Sequence, residues 1–245
     1  MQLLQVSSDI HFDYNDMTQK DFTKIIKKNA ELLVLAGDIG NPFSSIYEDF
    51  IFYCSELFVH VFIVSGNHEY YNNCMDEIDE RIKNICSKFE NVHFLNNKTF
   101  DYEGITIVGT TLWSEIPEKI KPKDLYSMND YKKIKVNKNE IFSIDVHRKL
   151  YKENLQFIEE TLENKKNCIV VTHHAPTFKS IQNEYTGDIT NCCFASNLDY
   201  LFLHPNLLGW VYGHTHHNYS ETHEKYFLFC NCFRTSNYNN QGCVL

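Results

Sequence analysis

The chain has 245 residues, a formal net charge of −9 at pH 7, 43% hydrophobic and 14% aromatic content. Such a chain buries a full core and reads most simply as one domain, 1–245. Its acidic balance argues against a general attraction to nucleic acid or to an anionic membrane, and no apolar run of about eighteen residues is present to span a bilayer.

Taken in order, Leu3 to Ser8 is a strand that runs into Asp9-Ile10-His11. Because it starts almost at Met1, no signal peptide is expected. Thr18 to Asn29 reads as a helix, with Thr18 as cap and Phe22, Ile25 and Ile26 on one face. Leu32 to Ala36 is a continuous apolar run ending at Gly37-Asp38, the pattern of a strand buried on both faces. Ser44 or Ser45 caps a helix from Ile46 to Leu57, and Val59 to Val64 is a strand that stops at Gly66-Asn67-His68-Glu69. Asp9, Asp38 and Asn67 thus follow three strands at intervals of about thirty residues, the length of one βαβ unit. Right-handed crossovers set such strands side by side with their polar tips on one edge, where open α/β sheets hold ligands.

A third helix is expected from Met75 to Phe89, a strand from Asn91 to Leu95, and a hairpin from Thr99 to Val108 turning at Glu103-Gly104. Residues 113–139 lose all periodicity and read as a long excursion or partial lid. Helical spacing returns from Ile144 to Leu162, followed by a strand from Cys168 to Thr172 that breaks at His173-His174. A short helix is expected from Ala195 to Leu203, a strand from Leu207 to Tyr212 ending at Gly213-His214-Thr215-His216, and a last strand from Tyr226 to Cys232. The nine cysteines are scattered without CxxC pairs and read as buried reduced thiols of a cytoplasmic protein. Cys243 stands one place too late for a prenylation box.

Each polar punctuation is a metal-ligand type placed just after a buried strand: Asp9, His11, Asp38, Asn67, His173, His214 and His216. Taken singly, a histidine or a strand-end aspartate is commonly a satisfied polar residue; five strand ends of this kind together are not explained that way. Strand alternation would put Asp9 and His11 on one face, and likewise His214 and His216, so that each pair holds one ion, with Asp38 bridging. Imidazole with carboxylate suits Mn, Fe, Zn, Co or Ni better than Ca or Mg alone.

In order, Asp9-x-His11, Gly37-Asp38, Gly66-Asn67-His68-Glu69, His173 and Gly213-His214-x-His216 resemble the motifs of the calcineurin-like metallophosphoesterases, most closely their small single-domain members. The resemblance implies a four-layer α/β/β/α fold: two mixed β-sheets packed as a sandwich, flanked by helices, with two metals at the strand ends. It implies that Asp9, His11 and His216 hold one divalent cation, that Asn67, His173 and His214 hold the other, and that Asp38 bridges. His173 rather than His174 matches the family's first histidine there. His68 would be the catalytic histidine near the scissile phosphate. The implied reaction is hydrolysis of a phosphate ester by in-line attack of a hydroxide shared between the metals.

The extended Gly-Asp motif of the family's protein phosphatases is absent, since Ile39-Gly40-Asn41-Pro42 follows Asp38 and none of Arg81, Arg148 and Arg234 matches their phosphate clamp. A phosphodiesterase or small-molecule phosphatase is therefore the leading expectation, and the partner of His68 is unassigned. The rivals are a nuclease and a non-catalytic metal-binding scaffold for a protein partner. The excursion's lysines, interleaved with Tyr126 and Tyr131, read first as a solvated face. Lys132 and Lys133 are the candidate substrate-binding pair should they meet a second phosphate or a base.

Overall fold

The structure, a computed structural model, describes residues 2–14 and 16–233, and the backbone of Cys243 and Val244. The prenylation reading at Cys243 and the position of Arg234 lie outside the described side chains.

The strands in chain order are β1 (Gln2–Ser7), β2 (Ala30–Ala36), β3 (His60–Val64), β4 (Val92–Phe94), β5 (Lys98–Tyr102), β6 (Ile105–Gly109), β7 (Lys135–Asn137), β8 (Glu140–Ile141), β9 (Cys168–Val171), β10 (Leu207–Tyr212), β11 (Tyr219–Thr222), β12 (Phe227–Cys230) and β13 (Cys243–Val244). One sheet runs β13-β1-β2-β3-β4 and the other β11-β12-β10-β9-β6-β5, while β7 and β8 form a separate ribbon. The first sheet is parallel from β1 to β4, with β13 antiparallel at its edge. In the second, β12, β10, β9 and β6 are parallel, and β11 and β5 run against them.

The two sheets pack face to face. Leu4, Val6, Leu32, Val34, Phe62 and Val64 of the first meet Ile107, Ile169, Val171 and Val211 of the second in one dry layer. The alternate residues Leu33, Leu35, Val61 and Ile63 face outward into a second core beneath the helices. This explains the unbroken apolar run of β2, since a strand covered on both faces has no solvent side to mark. The sandwich with helices outside is the mixed α/β architecture that the motifs imply.

Helix Ser45–Leu57 starts after extended Ser44 and buries Tyr47, Phe50, Ile51 and Cys54, a stripe of helical spacing. Helix Met75–Cys86 does the same with Ile78, Ile82 and Ile85. The long helix Ile144–Asn164 is capped by Ser143, whose Oγ accepts from the Val146 N–H, and buries His147, Tyr151, Ile158 and Leu162.

Two expected helices are shorter. Only Phe22–Ile25 is α-helical where Thr18 to Asn29 was expected. The Gln5 side chain donates to the Lys27 carbonyl and accepts from the Asn29 N–H, which draws the chain out of the helix and into β2. Likewise Ser196 and Leu198 donate to the Ala175 and Pro176 carbonyls, so helical turns begin only at Asp199.

The 113–139 excursion is well packed. Trp113 is buried against Phe142 and His174, and Ile116, Ile120 and Leu125 form a small core with Ile144, Cys192 and Cys193. His147 anchors it: its Nε2 accepts the Ser114 N–H at 3.1 Å, and its Nδ1–H donates to the Tyr131 hydroxyl at 2.9 Å. The eight cysteines whose side chains are described are buried and free of disulfides. Among the described residues, no helix is long and apolar enough to cross a membrane.

Candidate metal centre

The loops after β1, β2, β3, β9 and β10 meet at one end of the sandwich, and they are laced by backbone hydrogen bonds. Asp9 N–H donates to Gly37, His11 N–H to Asp38, and Gly213 N–H to His173. Asp9, His11, Asp38, His214 and His216 all have positive φ, between 49° and 69°. These residues therefore lie past the strand ends in left-handed conformation, where strand alternation no longer applies. Asp9 and His11 still reach one cluster as expected, whereas the backbone curls so that His214 and His216 turn to different clusters. Asp and His tolerate this region better than most residues, and such strain gathers at functional sites. Close approach also needs glycine. A Cβ on Gly37, itself at φ +85°, would meet His173 Nδ1 at 2.4 Å, and one on Gly66 would meet Asp38 Oδ1 at 2.1 Å.

Among the described residues, three groups of candidate ligands result: Asp38 belongs to two of them, and His11, Asp13 and His68 form the third. The first gathers Asp9, His11, Asp38 and His216; the second gathers Asp38, His173 and His214. In the first, His11 Nε2 lies 3.1 Å from His216 Nε2 and 3.7 Å from Asp38 Oδ2, and His216 Nε2 lies 3.2 Å from Asp9 Oδ1. In the second, His173 Nε2 lies 3.4 Å from Asp38 Oδ1, 3.2 Å from Asn67 Oδ1 and 3.1 Å from His214 Nδ1. Each oxygen of Asp38 therefore serves one cluster. His174 stands behind, stacked on His214 at 4.1 Å, with neither ring nitrogen hydrogen-bonded.

The donor set fits a cation by its own hydrogen bonding. His173 Nδ1–H donates to the Ala36 carbonyl at 2.8 Å, and His214 Nε2–H donates to the Cys193 carbonyl at 3.2 Å. Those bonds fix both tautomers and leave His173 Nε2 and His214 Nδ1 as lone pairs aimed at each other. Two lone pairs at 3.1 Å repel unless a positive charge lies between them. Edges of roughly 3.0–3.4 Å are those of a coordination shell with bonds of about 2.1 Å. Without a metal, one proton fills the role. Burial opposes charge on His173, but the Asp38 and Asp9 carboxylates outweigh it and hold it up at about 10. Burial and the charge on His173 hold His214 down at about 3. Burial would raise Asp38, yet the facing histidines carry it well below the usual carboxylate range.

Three further residues complete the centre. Glu69, 1% exposed, accepts N–H bonds from Asp38, Ile39, Gly40 and Gly66. Burial and the nearby Asp38 carboxylate push it up to about 7, against donors that favour the ionised form. Asp13 is the carboxylate beside the His68 ring, with Oδ2 3.9 Å from His68 Nδ1, beyond hydrogen-bond distance. Burial works against charge on His68, but Asp38 and Asp13 raise it overall. Asp130, from the excursion, accepts from Asn67 Nδ2 at 2.8 Å and from the Tyr71 hydroxyl at 2.7 Å. Glu69 was legible as part of a motif and Asp13 as an acid two places after His11, whereas nothing local marks Asp130.

A cavity of about 510 Å³ opens over the clusters, floored by Asp38, Asn67, His68, His214 and His216. Tyr71, Met128, Ile181, Tyr185 and Phe194 give it apolar walls, and Asn129, Gln182 and Asn191 add amides. No lysine or arginine lines it among the described residues. Lys132 Nζ sits over Tyr126 at 5.0 Å and Lys133 Nζ over Tyr71 at 5.1 Å, both outside the cavity lining. Arg81 binds Glu48 and the Pro42 carbonyl, and Arg148 binds carbonyls of the excursion, so neither approaches the clusters.

Residues 5–218 match the family model of the calcineurin-like phosphoesterases. An uncharacterized protein of Acanthamoeba polyphaga mimivirus is 35% identical over 241 residues, covering 89% of this chain and 85% of that protein. Among solved structures, a phosphopantetheinyl hydrolase from Mycobacterium tuberculosis is similar with a TM-score of 0.73 at 15% identity, over 99% of this chain and 95% of that one. A dimetal phosphatase from Danio rerio is similar with a TM-score of 0.54 at 15% identity, over 93% and 86%. At such identities the two structures speak for the fold alone.

Proposed function

The chain belongs to the calcineurin-like phosphoesterase family, and from that premise we propose that it hydrolyses a phosphodiester or a small-molecule phosphate at a pair of divalent cations. The observation that carries this reading is the division of Asp38 between two ligand clusters, one oxygen to each. Asp9, His11 and His216 would complete one cation site, and Asn67, His173 and His214 the other. Mn, Fe, Zn, Ni and Co all suit such a mixed imidazole and carboxylate set. When bound, two such cations lower the pKa of water and neutralise phosphate oxygens.

The chain's own side chains do the rest. His214 and His173 are held in register by backbone carbonyls and keep their lone pairs inward. His68 is half-buried beside the clusters, and its backbone N–H binds Asp38 Oδ1 at 2.9 Å. From there it is placed to stabilise charge on the phosphate or to protonate the leaving oxygen, with the nearby Asp13 carboxylate favouring its protonated form. The apolar and amide walls suit a neutral organic group rather than a further phosphate.

The absence of lysine and arginine from the described cavity lining supports a diester. A doubly charged monoester would face Asp38, Asp130 and Asp188 with only the cations to oppose them, whereas a diester brings one charge. The test is a panel of p-nitrophenyl phosphate, its bis-ester and cyclic nucleotides over Mn, Ni, Zn and Mg. Bis-ester hydrolysis exceeding monoester hydrolysis, lost in Asp38→Asn, is expected. A metal-loaded protein inert toward every substrate would overturn the reading and favour a binding scaffold.

A further inference from the structure

We propose that Asp130 is a positioning residue for the second cation site, locking Asn67 with its carbonyl oxygen toward the metal. The inference rests on the two-cation reading above. Asn67 is a weak ligand, because an amide has an acceptor end and a donor end and turns about one bond. Only the acceptor end can bind a cation. Asp130 settles which end faces inward: its Oδ1 takes the Asn67 Nδ2 hydrogen at 2.8 Å, and Tyr71 Oη lies 3.2 Å from the same nitrogen. Asn67 Oδ1 is then left 3.2 Å from His173 Nε2, in the second cluster. The negative charge behind the amide also makes its carbonyl oxygen a better donor to a metal.

Asp130 is 1% exposed, so a carboxylate is held out of water at some cost. Its Oδ2 has no hydrogen-bond partner, and the residue lines the cavity. A side chain serving only to fold the excursion would have both oxygens satisfied. The short helix Asp130–Lys133 is moreover bolted to the segment that follows Asn67. Asn72 N–H donates to the Lys133 carbonyl at 2.7 Å, and Lys135 N–H to the Asn73 carbonyl at 3.2 Å. The excursion therefore completes the metal centre from outside the motifs.

The experiment is calorimetric titration of the whole protein with Mn(II) and, separately, Zn(II), with retained metal counted after gel filtration. Wild type, Asp130→Leu and Asp130→Asn are compared. Leucine keeps the volume and removes the acceptor; should it fail to fold, Asp130→Ala takes its place. Asparagine keeps an oxygen facing the same two donors. Wild type should bind two equivalents. The leucine or alanine variant should lose about tenfold or more in one step only, and the asparagine variant should stay within about threefold. Two unchanged steps without the acceptor would overturn the assignment, as would equal losses in both variants. A wild type that binds fewer than two cations would instead count against the two-cation reading itself.

Discussion

Glu69 grips the turn that carries Asp38. Its Oε2 accepts the Asp38 N–H at 2.9 Å and the Gly66 N–H at 2.7 Å, while Oε1 accepts from Ile39 at 2.7 Å and Gly40 at 3.3 Å. One buried carboxylate thus joins the ends of β2 and β3 and holds Asp38 in its left-handed conformation. Glu69→Gln would turn an NH₂ toward two N–H groups and orphan at least one of them. A loss of about 3 kcal/mol is expected in urea denaturation of the metal-free protein, with weaker binding at both cation sites. Unchanged stability would show that the grip is dispensable.

His68 and Asp13 should separate chemistry from metal binding. Neither belongs to the two clusters that share Asp38. His68→Gln is expected to lower kcat by about 10² or more, the range of general acid catalysis, with two cations still bound. Asp13→Asn should cost less, about tenfold, because the Asp13 charge favours protonated His68 from 3.9 Å without touching the phosphate. Metal content by atomic absorption, measured beside kcat, checks both. A variant that loses turnover together with its metal would move that residue into the ligand set.

Acid should loosen the excursion through His147. Burial holds this histidine down at about 3, and its Nε2 must remain an acceptor for the Ser114 N–H. Between its ordinary value of 6.5 and about 3 the unfolded chain binds a proton that the folded chain refuses. Stability is therefore full above 6.5 and falls as the pH drops below it, with a slope of up to about 1.4 kcal/mol per pH unit from this group. Denaturation of wild type and His147→Gln at pH 7.5, 6 and 5 should show the smaller slope in the variant.

The lysines of the excursion should matter little to a small diester. Deleting 119–138 would be a poor test, because it removes Asp130 and the buried Ile120, Leu125 and Ile134. Lys132→Ala with Lys133→Ala is the cleaner change. Bis-ester turnover is expected to stay within about twofold. A fall on oligonucleotides alone would give those lysines a role in binding a longer polyanion.

What the sequence determined by itself is the set of ligand types and the strands that deliver them. A both-faces-buried strand must be an unbroken apolar run, and a ligand at its end must interrupt that run, so β2 and Asp38 are visible locally. The same holds for Asp9, Asn67, His173 and His214. The parallel order of β1, β2 and β3 followed from their spacing, because right-handed crossovers leave few other arrangements. Helix ends were less legible: the long reach of Gln5 to Lys27 and Asn29 cuts one helix short, and no local propensity encodes it.

Strand alternation alone would pair His214 with His216, while the motif resemblance divides the candidate ligands as the clusters do. Only the tertiary structure supplies the reason: left-handed backbone at Asp9, His11, His214 and His216 stands in place of strand alternation. It also decided the residues that act at a distance. Asp130 meets Asn67 across 63 positions of chain, and nothing at either place announces the other. A ligand's identity is a local property, readable wherever a strand stops. Its orientation is set by whichever remote group holds its far side, and that partner is known only once the chain has closed on itself.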